Sequence, residues 1–189
     1  MPKIVDRAAR QEEILDAAAK VFARKGFAAS RIEDVAAEAG IAKGSVYLYF
    51  ESRNALLTGV FDSYAAKAAQ VLTELGAGSP LERLSRLIRA TLELLAAHPD
   101  HARVLLDVWA SNPPIDMAGM YREYRGAIAD LLTEAAADGA LRPGIGAPHA
   151  AVIVGAIEGC LVQALVDPAL SLRDLTEPVL QLCVEGIRT

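Results

Sequence analysis

Between Ser30 and Phe50 the chain reads SRIEDVAAEAGIAKGSVYLYF. That spacing predicts two short helices joined by a tight glycine turn. Ser30 is a good N-cap, and Glu33 three residues on completes a capping-box pattern. Ile32, Val35 and Ala36 supply the inward face of the first helix. Gly40 stops it, because glycine adopts the left-handed conformation that a helix end requires. Ile41 plugs the turn. Val46 and Phe50, four apart, hold the second helix down. Lys43, Gly44, Ser45, Tyr47, Leu48 and Tyr49 are left around its remaining surface. Two helices of this size and layout form a helix-turn-helix, a unit whose second helix enters the major groove of DNA. A small, basic and aromatic surface there suits close approach to phosphates.

The stretch EEILDAAAKVFARKGF precedes this unit and ESRNALL follows it. Together, from Gln11 to about Leu57, they resemble the DNA-binding domain of the tetracycline-repressor (TetR) family. The run AGIAKGSVYLYFESRNALL follows that family's pattern closely. The resemblance implies an N-terminal three-helix head, a connector helix, and a helical body that binds a small effector and dimerises through its last two helices. It assigns DNA contact to Lys43, Tyr47 and Arg53, with Gly44 letting the backbone come close. Ser45 and Tyr49 join that surface, and Arg31 is a further candidate. The same side chains outside such a motif would be ordinary solvated residues. Two positions depart from the pattern. Ala42 stands where a capping Ser or Thr is usual, and Arg31 replaces a common hydroxyl residue. Few groups remain for reading base edges, so phosphates and DNA shape should supply much of the affinity.

The composition fits an all-α protein. Of 189 residues, 53% are hydrophobic and only 5% aromatic. Alanine and leucine favour helix, and alternating β-branched runs are scarce. The net charge of −5 does not at first suggest a nucleic-acid partner. Its distribution does: residues 1–53 carry nine Lys and Arg against eight Asp and Glu, while residues 54–189 carry ten against sixteen. Local placement governs phosphate contact, and Lys3, Arg7, Arg10, Lys43 and Arg53 supply it. No apolar stretch is expected to approach the ~20 residues that span a bilayer. The charged N-terminus lacks the centre of a signal peptide. The reading is a soluble cytoplasmic protein without a membrane partner.

Helix punctuation divides the rest. A first helix is predicted from Arg10 to Lys25, ended by Gly26. A connector is predicted from Arg53 to about Leu75, and GAGSP breaks it. Five helices follow: Leu81 to Ala97; one from Pro99 to about Ser111; Ile115 to Ala137; Ala147 to Val166; and Leu172 to Ile187. The total is about nine. The expected domains are residues 1–52, binding DNA, and residues 53–189, binding effector and dimerising.

Within the second domain, AAVIVGAIEGCLVQALV is apolar all round, so both of its faces need burial. One face can meet its own domain and the other needs a twin. Ala151, Gly155 and Gly159, four apart, would let the helices approach closely. Val179, Leu182 and Cys183 of the last helix complete the expected dimer interface, with packing inside one chain as the plainer alternative. The expected effector pocket takes Phe61 and Tyr64 from the connector. It also takes Trp109, Met117, Met120, Tyr121 and Tyr124, with Glu158 as a polar anchor. Each of these would otherwise be simple core. Apolar and aromatic walls with a few polar groups are the usual ligand-site lining.

Cys160 and Cys183 read as reduced buried thiols. His98, His101 and His149 lack a completing cluster, so neither metal nor cofactor is expected. No nucleophile–base pair or phosphate-cradling loop marks an enzyme. The reading is a homodimeric transcriptional regulator, a repressor released from double-stranded operator DNA by a small, largely apolar effector. The alternatives are a corepressor-dependent regulator, and a small-molecule carrier or enzyme with a vestigial head.

Overall fold

The computed structural model describes residues 6–109 and 116–189, the side chains of Val108 and Trp109 excepted. Among the described residues there are nine α-helices: α1 (Arg7–Lys25), α2 (Ile32–Glu38), α3 (Lys43–Tyr47), α4 (Arg53–Thr73), α5 (Pro80–Ala97), α6 (Pro99–Trp109), α7 (Met117–Ala137), α8 (Ala150–Val166) and α9 (Thr176–Cys183). One isolated bridge, Leu141 to Arg188, is the β feature among them. The chain forms two compact units. One comprises Met1–Ala66 and Asp100–Ile115, the other Lys67–Pro99 and Asp116–Thr189. The division thus falls inside α4, and α6 joins the first unit.

In the first unit, α1 packs on α2 and α2 on α3. Ile14, Ala18, Val21 and Phe22 of α1 are buried, as are Val35, Val46 and Leu56. Fully burying a side chain of this kind contributes ~1.5–3 kcal/mol. Phe50 is buried too, as its spacing from Val46 requires. Gly40 carries the positive φ, +64°, that ends α2. Gly59 of α4 has a different task. A Cβ there would lie 2.8 Å from the Leu15 side chain and 3.0 Å from the Phe50 ring, so any larger residue would have to push both aside.

The start of α2 differs from the expected capping box. Ser30 points back, donating its hydroxyl to the Gly26 carbonyl at 2.6 Å. The N-cap is Arg31, whose backbone N–H is received by Asp34 at 3.0 Å. Asp34, not Glu33, is three residues from the cap, and only this acidic half of a capping box forms, because an arginine side chain has no acceptor for the Asp34 N–H.

In the second unit, α5 packs on α7 and α9, and α7 on α8. Leu84, Leu87, Ile88 and Leu92 of α5 are buried, with Ile128 and Leu132 of α7 and Ile153 and Ile157 of α8. A full capping box starts α5: Ser79 Oγ accepts from the Glu82 N–H while Glu82 accepts from the Ser79 N–H. The last helix is shorter than the sequence suggested. It starts at Thr176 and ends at Cys183, followed by a single 3-10 turn, Glu185–Ile187. Pro178 explains the late start. Proline lacks an N–H and clashes with a preceding turn, so it fits only the first turn of a helix.

The run Ala147–Val166 is longer and more apolar than the sequence reading allowed. This 20-residue stretch has a mean hydropathy of 1.8, long and apolar enough by length and composition to cross a membrane. Its one charge, Glu158, does not offset its valines, isoleucines and leucines. Only 28% of it is buried within the chain.

Candidate nucleic-acid interface

Helix α3 is five residues long and capped at its start by Ala42, which is extended and offers no side-chain hydrogen bond. Between Lys43 and Tyr47 its outer surface carries only Gly44 and Ser45. Tyr47 is 47% exposed and Leu48 73%. Gly44 is exposed, and a Cβ built on it would meet nothing within 4 Å. Ser45 and Tyr49 are half-buried. The Arg7 guanidinium lies 5.8 Å from the Tyr49 ring centre, an N-terminal contact that no periodicity announced.

Lys43 is paired rather than free. Its Nζ lies 2.6 Å from Glu33 Oε1, and both side chains are exposed. The hydrogen bond holds the Glu33 carboxyl below its ordinary range and the Lys43 ammonium above its own. The ammonium also sits 5.9 Å from the Tyr47 ring centre. The other α2 acids are matched in the same way. Asp34 meets Lys25 at 2.6 Å, and Glu38 meets Arg24 at 3.1 Å. Exposed pairs of this kind contribute at most ~1 kcal/mol each. A DNA phosphate can therefore replace Glu33 on Lys43 at small cost.

Arg53 lies elsewhere than expected. Its Nη1 donates to the carbonyls of Ser30 at 2.6 Å and Ala28 at 3.0 Å. Its guanidinium stacks 4.5 Å from the Phe27 ring centre. It clamps the segment leading into α2, and those donors are not aimed at an outside phosphate. Phe27 in turn meets Phe22 edge to face at 5.3 Å. Arg31 is exposed at the α2 N-cap.

The expected effector residues divide between the units. Phe61 and Tyr64 are 4% and 6% exposed within the first unit, so both are core side chains there. Tyr64 stacks on His101 with centroids 6.3 Å apart, and His101 Nε2 lies 3.8 Å from Asp16. Burial raises the Tyr64 phenol pKa. The Trp109 side chain lies outside the described residues. In the second unit the structure brings together polar groups in an otherwise apolar setting. Tyr121 of α7 donates to Glu158 of α8, and Tyr124 of α7 hydrogen-bonds Thr91 of α5. All four are half-buried. Burial first, then the Glu158 bond, raises the Tyr121 phenol pKa. Thr91 was not anticipated, since nothing in the sequence ties it to a residue 33 positions away. Met117 and Met120 are half-buried on α7.

Of the expected interface residues, Ala151 and Gly155 are exposed on α8 and Gly159 is half-buried. A Cβ on either glycine would meet nothing within 4 Å. Val152, Val162 and Val166 on the same helix are 67%, 43% and 79% exposed, and Leu182 of α9 is 76% exposed. Val179 is instead buried in its own chain at 5%, because one side of a short α9 must pack inward. Cys183 is half-buried, like Cys160, and both thiols are free.

Comparison with known proteins gives the class. The family described as bacterial regulatory proteins, tetR family, matches residues 14–60, and the tetracyclin repressor-like C-terminal domain matches residues 77–161. The HTH-type transcriptional repressor KstR2 of Mycolicibacterium smegmatis is 32% identical over 148 residues, covering 72% of this chain and 69% of that protein. The Bacillus subtilis HTH-type transcriptional regulator YerO is 36% identical over 101 residues, 51% of this chain but only 35% of its own length. The structure of the regulator FadR from Bacillus subtilis in complex with stearoyl-CoA superposes with a TM-score of 0.73 at 25% identity, covering 93% of this chain and 98% of that one. The chain belongs to the TetR family of bacterial regulatory proteins. Its class is that of a ligand-responsive transcriptional repressor, and the rival carrier or enzyme with a vestigial head is not favoured.

Proposed function

We propose that this repressor acts as a homodimer on double-stranded operator DNA and is released by a long-chain acyl thioester. The observation that carries the ligand reading is the Tyr121–Glu158 and Thr91–Tyr124 pairs among the leucines of α5, α7 and α8. A long-chain acyl thioester offers a carbonyl to such groups and an alkyl chain to the apolar walls around them. The similarity over most of its length to a regulator described in complex with stearoyl-CoA supports the same chemistry.

The second copy would cover the exposed strip of Ala151, Val152, Gly155 and Val162 on α8. An unpartnered apolar helix face is the kind of surface that homodimers bury. Two heads must then reach half-sites about 34–36 Å apart, one turn of B-DNA. Lys43, Gly44, Ser45, Tyr47 and Tyr49 face the DNA in this reading, with Arg31 at the edge. The effector would act by its difference in affinity for the DNA-bound and released states.

Thermal unfolding with stearoyl-CoA, free stearate and CoA tests this. A ligand at 100 times its dissociation constant adds ~2.7 kcal/mol to stability. Stearoyl-CoA should stabilise the protein, more than stearate and far more than CoA, and should release a selected operator duplex. Stabilisation by CoA alone, or none by any of the three, overturns the ligand assignment.

A further inference from the structure

We infer that Leu48 is a base-reading residue whose side chain contacts the 5-methyl group of a thymine in the major groove. The inference rests on α3 being the recognition helix and adds to that reading what the helix recognises. Among the described residues of the first unit, only Tyr47 and Leu48 are exposed large hydrophobics, and Leu48 is the more open at 73%. A single exposed leucine is ordinary on a protein surface. This one stands on the helix that must enter the groove. Its backbone is still helical, at φ −70° and ψ −16°, so its side chain continues the α3 surface. One turn earlier on the same face is Gly44, with open space where a side chain would be. Leu48 is thus the most open apolar side chain of that surface, beside Tyr47 and one turn from a bare glycine.

The polar groups nearby are poorly placed to discriminate bases. Ala42 has only a methyl, and Ser45 is half-buried. Lys43 is held by Glu33 and, if released, is a point charge suited to phosphate. The Tyr47 hydroxyl is likewise a group that commonly meets phosphate oxygens. In the major groove each base pair presents donors and acceptors, and among the unmodified bases only thymine adds an apolar group, its 5-methyl. A leucine offers no hydrogen bond in return, so thymine is the base it favours. Next to a donor or acceptor edge it would strip water and leave that group unpaired.

The full-length protein is first used to select duplexes from a randomised library. Each thymine of the selected site is then replaced by deoxyuridine, which removes the methyl and keeps the pairing edge. Wild-type protein should lose about fourfold in affinity at one thymine per half-site, the effect of one methyl-sized burial. Leu48→Ala should bind the thymine and deoxyuridine duplexes equally, with the same thermal unfolding midpoint as wild type. Two results overturn the inference: indifference of wild type to every deoxyuridine, or a penalty that persists undiminished in Leu48→Ala. Failure to select any duplex would instead overturn the operator reading itself.

Discussion

The two units solve the problem of their surfaces in opposite ways. In the first, charge is matched locally: all three acids of α2 pair with a lysine or arginine of a neighbouring helix. In the second, α8 leaves valines at 43–79% exposure, with Leu182 of α9 beside them in kind at 76%. Pairing of solvated charges is weak and exchangeable, whereas exposed apolar surface is relieved only by burial. The first kind of surface can exchange partners, and the second is stable only when covered, which is what the proposed DNA-binding head and the proposed α8 dimer face respectively require.

The sharpest way to break this comparison is Gly155→Leu. The monomer has room for the side chain, since a Cβ at that site meets nothing within 4 Å. A close-packed twin would not, and overpacking costs ~1–3 kcal/mol or more. Sedimentation should show at least about a tenfold weaker dimer with helical content unchanged. A dimer of undiminished affinity would put the interface on another face.

Arg53→Ala tests the head's internal clamp. Losing the bonds to the Ala28 and Ser30 carbonyls should lower stability by about 2 kcal/mol, read by urea unfolding. The slope of log affinity against log salt should not change. A shallower slope with full stability would mean that Arg53 meets a phosphate after all.

Tyr121→Phe sharpens the second unit's side. It removes the hydroxyl from Glu158 and should cost about 1 kcal/mol of stability. Stabilisation by stearoyl-CoA should shrink by a similar amount, while operator affinity without ligand stays near wild type. An unaltered ligand effect would move the site away from α7 and α8.

The smallest effects belong to the exchangeable pair. Lys43→Ala should reduce the salt slope by roughly 1, the signature of one phosphate contact. Glu33→Gln removes the competitor for Lys43 and should raise DNA affinity a few-fold, within the ~1 kcal/mol that such exposed pairs carry. Weaker binding by Glu33→Gln would show that the carboxylate orients Lys43 rather than competes for it.

How much of this was legible differs between the units. The head was readable because its determinants are local. Gly40, the Val46–Phe50 spacing and the inward stripe of Ile32, Val35 and Ala36 act within a few residues of one another. The apolar character of α8 is legible for the same reason, since it is carried by one unbroken run of neighbouring residues. The cap lies one residue later than the sequence pattern suggests, because the Ser30 hydroxyl turns back to the Gly26 carbonyl, a partner the pattern does not reveal. In the second unit the pairs that matter join residues 33 and 37 positions apart, and no periodicity carries such information.

By itself, then, the order of residues determined the all-helical class, the helix-turn-helix and the long apolar helix α8. These follow from hydrogen bonds and burial patterns with a period of a few residues. Tertiary structure alone decided that Arg53 holds a loop, that Lys43 rests on Glu33, that Phe61 and Tyr64 are core, and that Val179 turns inward while Leu182 does not. Those outcomes depend on which distant backbone carbonyl, carboxylate or helix face arrives beside a side chain, and only the packed chain brings them together.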